Sequence, residues 1–191
     1  AKDLRKEEAG DPNPYIAIKL IAGDFKQDPR AFVALQQETD KSQALSHENI
    51  ISVYDFDRDG DIIYMTMQCL EGQSLNVYIA NPNPALSAKD KLTQDINLIE
   101  QIAAGVAYAH KHGIVHSDLK PENIFITLKN EIKILDFGIA RTLSELRNDG
   151  YVDSREGVAG LTPAYASAQM FRGEAPHPSD DVYGLGLIAY E

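Results

Sequence analysis

Four side chains have the types and the spacing for phosphate chemistry: Asp118, Lys120 and Asn123 within HSDLKPEN (116 to 123), and Asp136 in the DFG at 136 to 138. Phosphoryl transfer asks a protein mainly for position and charge. Its loose transition state spreads negative charge over oxygens that a metal ion and a lysine must hold in line. Asp118 can accept or orient the proton of an attacking hydroxyl, and Lys120 can sit on the transferring phosphate. Asn123 and Asp136 offer the hard oxygens that suit Mg²⁺. The remainder of the chain has to present these four groups together with a nucleotide.

The two stretches resemble the catalytic loop and metal-binding turn of the protein kinases, HRDLxxxN and DFG. DLKPEN, with its lysine two residues after the acid, has the form of the Ser/Thr branch, and the chain is similar to the bacterial eukaryotic-like (Hanks-type) serine/threonine kinases. That resemblance implies an α+β, two-lobed fold. An antiparallel-sheet small lobe would cover residues 1–70 and a mostly helical large lobe residues 71–191, together one catalytic domain truncated at both ends. It further implies ATP with Mg²⁺, or Mn²⁺ in its place, as cofactors, and transfer of the γ-phosphate to Ser/Thr hydroxyls of protein substrates in bacterial signalling.

Composition is compatible with this. With 191 residues and 43% hydrophobic content the chain can bury a sizeable core. Its 18 basic and 29 acidic residues leave a net charge of −11, which argues against nucleic acid or an anionic membrane as main partner. Cys69 is the only cysteine, so no disulfide forms within the chain and a reducing compartment fits. No apolar run is long enough to span a bilayer and no signal peptide is visible, so a cytoplasmic location is expected, with any membrane anchor outside this segment.

Along the chain, the first fourteen residues, ending in Asp11-Pro12-Asn13-Pro14, read as a connector. Tyr15 to Ile21 reads as a strand, with Ala17, Lys19 and Ile21 on one face. Alone, Lys19 would be an exposed edge lysine. The triplet AIK resembles the kinase VAIK strand, which implies that Lys19 holds the nucleotide phosphates while Ala17 covers the adenine. A helix follows from Asp28 as N-cap and Pro29 at N1. On it Glu38 flanks the apolar stripe of Phe32 and Leu35, and by the family pattern it pairs with Lys19. Strands over 50–56 and 62–67 are joined by DRDGD at an Asp-Gly hairpin. That loop is a poor calcium site, because its glycine comes too early and Gln68 stands where a closing glutamate is needed. By resemblance Met67, Gln68 and Leu70 form the hinge, with the backbone meeting the adenine and Met67 guarding the back pocket.

Beyond Asn81-Pro82-Asn83-Pro84, Ser87 caps a long helix whose apolar spacing runs Ile99, Ile102, Ala103, Val106, Ala107 and which stops near Gly113. His110, His112 and His116 are not read as zinc ligands, since the helix stop separates the first two from the third and no cysteine is near. Short strands are expected at 113–115, 124–127 and 131–135, with Phe125 beneath the adenine opposite Ala17 by resemblance. Residues 138 to 168, containing Thr142, Ser144, Tyr151, Ser154 and Arg155, read as a long activation segment. LTPAYAS (161 to 167) resembles the stretch that docks the acceptor, with Thr162 near Asp118 and Lys120. SDDVYGLGLIAYE (179 to 191) resembles the start of the central buried helix, from which Asp181 braces the catalytic loop.

Departures from the pattern matter equally. Ser117 replaces the arginine that receives an activation-segment phosphate, so activation by loop phosphorylation is not expected. Gln169 replaces the glutamate of the APE motif and its buried ion pair. Ser42 stands where an apolar side chain backs Phe137, which predicts loose coupling of the Glu38 helix to the DFG turn. No GxGxxG precedes Lys19 and the last helix is cut, so the chain reads as the middle of a longer protein, with weak nucleotide binding as it stands. A Ser/Thr kinase is the favoured class. A regulatory pseudokinase that binds nucleotide or partners without turnover is the alternative, and a small-molecule phosphotransferase is disfavoured by KPEN and TPAY.

Overall fold

A computed structural model describes residues 1–21, 29–60, 62–137 and 162–191. The Asp28 cap and most of the activation-segment stretch lie outside the described residues. Two antiparallel three-stranded sheets organise the fold. The first contains β1 (Ile16–Ile21), β2 (Val53–Asp59) and β3 (Ile62–Gln68) in the order β1-β3-β2. Pairing of Ala17 with Met67 and of Lys19 with Met65 puts both predicted nucleotide residues of β1 on the inner face. Ile18 and Leu20 point outward, 47% and 64% exposed. The inner face packs with Leu35 of α2 (Pro29–Ala44) into a core of Ile21, Ile51, Phe56, Ile63, Met65 and Met67.

The first fourteen residues are more than a connector. Helix α1 (Leu4–Glu8) forms because Asp3 accepts hydrogen bonds from the backbone N–H groups of Arg5 and Lys6, satisfying donors that a five-residue helix cannot satisfy alone. Lys2 then bridges antiparallel to Tyr15 and pairs with Glu7, so the segment folds back beside β1.

The second sheet contains β4 (Gly72–Ser74), β5 (Ile124–Thr127) and β6 (Ile132–Ile134), in that order. Sequence pattern did not reveal β4. It is too short for a periodic signal and exists by pairing with β5, which approaches so closely that a Cβ on Gly72 would lie 2.0 Å from the Ile126 carbonyl oxygen. No strand forms at 113–115, where the backbone turns from the helix end into the catalytic loop. Around this sheet lie α3 (Leu75–Ala80), α4 (Ala88–Lys111), α5 (Ala168–Phe171) and α6 (Pro178–Tyr190). Ser87 caps α4 as expected, accepting from Asp90 N.

The buried stripe of α4 is Leu98, Ile102, Gly105, Val106 and Ala109, whereas the predicted Ala107 is exposed and Ile99 and Ala103 only flank it. Apolar spacing does not mark this face in full, because glycine carries no hydrophobic signal, yet Gly105 faces β6: a Cβ there would come 2.8 Å from Ile134 Cδ1. The segment joining α2 to β2 ties the two halves together. Asn49 is buried, donates from Nδ2 to the Ile132 carbonyl at 3.3 Å and accepts Ile134 N at 2.8 Å. Ile50 bridges in parallel to Ile134, so β2 starts at Val53 rather than at Ile50. Asp136, two residues past β6, is thereby delivered to the seam between the sheets.

Candidate active site

The catalytic loop leaves α4 and enters the 3-10 turn Pro121–Asn123. Its path requires Ser117 at φ 65, a left-handed conformation that costs a non-glycine residue of order 1 kcal/mol. Asp181 on α6 compensates from below, 1% exposed, accepting His116 N at 2.8 Å and Ser117 N at 2.9 Å. His110 Nε2 lies 2.7 Å from the same carboxylate. A buried carboxylate carrying that set of donors fixes the loop more firmly than packing alone. The expectation that Asp181 braces this backbone is met by these distances.

His116 couples the loop to the DFG turn. Its Nε2 sits 2.7 Å from the Leu135 carbonyl oxygen, which only accepts, so Nε2 carries the proton and Nδ1 accepts the Asp118 N–H at 3.2 Å. The ring packs against Phe137 with centroids 4.7 Å apart. Asp136 itself has φ 63, a second left-handed residue, and its carboxylate points toward the first sheet.

Around Asp118, which is 8% exposed, the predicted residues converge. Lys120 Nζ is 2.7 Å from Asp118 Oδ2 and donates to Thr162 Oγ1 at 2.6 Å. Thr162 Oγ1 lies 3.5 Å from Asp118 Oδ1. Asn123 Nδ2 donates to the Asp118 carbonyl at 2.8 Å and to Oδ2 at 3.1 Å. The amide is thereby oriented, and its Oδ1 remains for another ligand.

Small-lobe residues fall partly elsewhere than predicted. Lys19 does not pair with Glu38: its Nζ lies 2.5 Å from Asp136 Oδ2, while Glu38 Oε1 holds Lys41 Nζ at 2.5 Å. The physical reason is proximity on one helix. Lys41 is one turn beyond Glu38 and takes its charge locally, and Asp136 offers Lys19 a carboxylate across the seam. Met67 is buried on the inner face of the first sheet, and Ala17 and Leu70 pack at the edge of the same core. Gln68 donates its backbone N–H to the Ser52 carbonyl at 2.9 Å. Phe125 is half-buried on the face of β5 opposite Ile124 and Ile126, which fill the second core. Ser42, expected to loosen the coupling of α2 to the DFG turn, is buried and donates to the Glu38 carbonyl at 3.1 Å and, at 3.4 Å, to that of Phe137. A polar link replaces the apolar one.

Residues 7–191 match the model of the protein kinase domain. The chain belongs to the protein kinase family. It is 35% identical over 176 residues to the serine/threonine-protein kinase PrkC of Bacillus subtilis, covering 92% of this chain and 26% of that protein. It is 32% identical over 195 residues to PknB of Mycolicibacterium smegmatis, covering 100% of this chain and 29% of that protein. The chain thus spans less than a third of the curated relatives it matches. Its fold is similar to the crystal structure of the PknI kinase domain of Mycobacterium tuberculosis, with a TM-score of 0.70 at 22% identity, covering 94% of this chain and 63% of that one.

Kinases of this family use a nucleotide and a divalent cation, and the donor set here fits such an ion. Asn123 has an oriented amide whose Oδ1 has no partner among the described residues, and Asp136 is a carboxylate at the seam whose Oδ2 is held by Lys19. Mg²⁺ needs few protein oxygens, because phosphates and water complete its octahedron.

Sequence reasoning missed His116 as the link from Asp118 to Leu135 and His110 as a donor to Asp181. Both histidines had been weighed only as metal ligands, and HGIVHSD carried the signal. Asn49, in the segment between α2 and β2, was likewise missed.

Proposed function

We propose that this chain is the catalytic segment of a bacterial serine/threonine protein kinase, transferring the γ-phosphate of Mg·ATP to Ser or Thr hydroxyls of protein substrates in the cytoplasm. Residues 1–70 serve as its small lobe and 71–191 as its large lobe. The observation that carries this reading is the Asp118 carboxylate, nine-tenths buried and touched by Lys120, Asn123 and Thr162 at once.

Asp118 orients the acceptor hydroxyl and takes its proton as the bond to phosphorus forms. Lys120, already between Asp118 and Thr162, meets the charge that grows on the transferred group. Asn123 and Asp136 would hold the divalent ion, which when bound would supply positive charge to offset that of the nucleotide phosphates. Ala17, Met67, Gln68, Leu70 and Phe125 form the walls and hinge of the adenine site. Lys19 must release Asp136 to reach the phosphates, so the geometry is that of a resting site whose lysine and metal ligand neutralise each other. Glu38 reaches Lys19 only after leaving Lys41.

Phosphoamino-acid analysis of a protein mixture incubated with the full-length protein and labelled ATP tests the substrate class. Label on serine and threonine is the expected result, and label on tyrosine or on small molecules alone would contradict it.

A further inference from the structure

Helix α6 presents two adjacent buried carboxylates, of which the loop-bracing role uses one. Asp181 turns to the catalytic loop, as described. Asp180 is 4% exposed and lies about 100° further round the helix, so it faces another element. Its Oδ1 accepts Ser167 Oγ at 2.6 Å, and its Oδ2 accepts His177 N at 3.0 Å. As N3 of α6 it also sits where a helix favours negative charge. Ser167, 3% exposed, is the N-cap of α5, where Met170 N donates to its Oγ at 3.2 Å. Ser167 and Thr162 end the same short TPAYAS stretch, and Thr162 touches both Asp118 and Lys120.

One turn of α6 therefore holds the two sides of the acceptor site at a fixed separation. Asp181 holds the catalytic loop and Asp180 the segment facing it. Gln169, at the position where the APE motif has its anchoring glutamate, is exposed and does not replace that glutamate in the interior. We propose that the buried Ser167–Asp180 hydrogen bond is the anchor of the acceptor-docking segment in this protein, and that Asp180 is a positioning residue for the protein substrate.

The inference rests on the kinase reading above. It makes a demand that a purely structural role does not: the loss should fall on the acceptor. In the full-length protein, Ser167→Ala and Asp180→Ala should each raise KM for a Ser-containing peptide about tenfold, the size expected for one hydrogen bond to a charged group. KM for ATP and the slow transfer of phosphate to water should stay within twofold. The double variant should lose less than the two single losses combined, since the Ser167–Asp180 bond is removed in both while only the His177 and Met170 caps differ. Ser167→Thr, which keeps the hydroxyl, should restore the peptide KM.

A peptide KM unchanged in both single variants overturns the proposal, and so do additive losses in the double variant. Parallel loss of ATP binding and melting temperature reduces the pair to a packing role and equally overturns it. If the parent transfers phosphate to neither peptide nor water, the kinase reading itself fails, and the proposal falls with it.

Discussion

At the scale of single residues, Asp118 is held among defined partners, Lys120, Asn123 and Thr162. Lys120 Nζ lies between Asp118 Oδ2 at 2.7 Å and Thr162 Oγ1 at 2.6 Å, a position from which it can move onto a phosphate without leaving the site. Lys120→Ala should therefore lower kcat by about 10²-fold, the range typical of losing one preorganised electrostatic contact. Nucleotide affinity should be unchanged by calorimetry, and an equal loss of affinity would place Lys120 in ground-state binding instead. The gathering of Lys120 and Asn123 at Asp118 was legible in the sequence because the three lie within six residues of one another. The partner of Lys19 was not. Which of two carboxylates a lysine meets depends on the relative placement of α2 and the DFG turn, which spacing along one chain does not encode.

At the scale of elements, close approaches decide what the pattern alone leaves open. Gly105 was invisible as a core position because it has no side chain to score, yet it lets α4 pack on β6 beside Asn49 and Ile134. Gly105→Ala should cost roughly 1–3 kcal/mol as overpacking, read from urea unfolding, since the contacting Ile134 Cδ1 is itself buried and must shift. Helices α3 and α4 are linked by a polar contact, Tyr78 Oη donating to Asp95 Oδ1 at 2.9 Å. Burial first, and then this hydrogen bond and the nearby charge, push the Tyr78 phenol up to about 12 from 10.0. A phenol harder to ionise in the fold than in the unfolded chain stabilises fully below pH 10.0 and loses that contribution as pH rises toward 12. The stability difference between wild type and Tyr78→Phe should then be constant from neutral pH to about 9 and shrink above it. A difference that grows with pH would reverse the assignment. Strand β4 and helix α1 were illegible for a different reason: each is too short to carry a period, and each depends on a neighbour or a single cap.

At the scale of the whole molecule, two apolar cores carry the two halves of the site and meet where Ile51 of the first donates its backbone N–H to the carbonyl of Ile134 of the second at 3.0 Å. The first core holds Met67, with Ala17 and Leu70 packed against it, on the face that also carries Lys19. The second presents the catalytic loop through α6. A sheet-containing half and a helical half are what the kinase resemblance implies, whereas the seam between them was not legible, because it is made by buried polar groups such as Asn49, His116 and Ser42 that hydrophobic patterning does not see. The central claim is that Asp118 is the group toward which all of this is built. Transfer of labelled γ-phosphate by the full-length protein to itself and to a basic protein substrate, compared with Asp118→Ala, tests it most directly. The account predicts transfer by wild type and a loss of at least about 10²-fold in the variant, with nucleotide still raising the melting temperature of both. Equal transfer by the two proteins would contradict it.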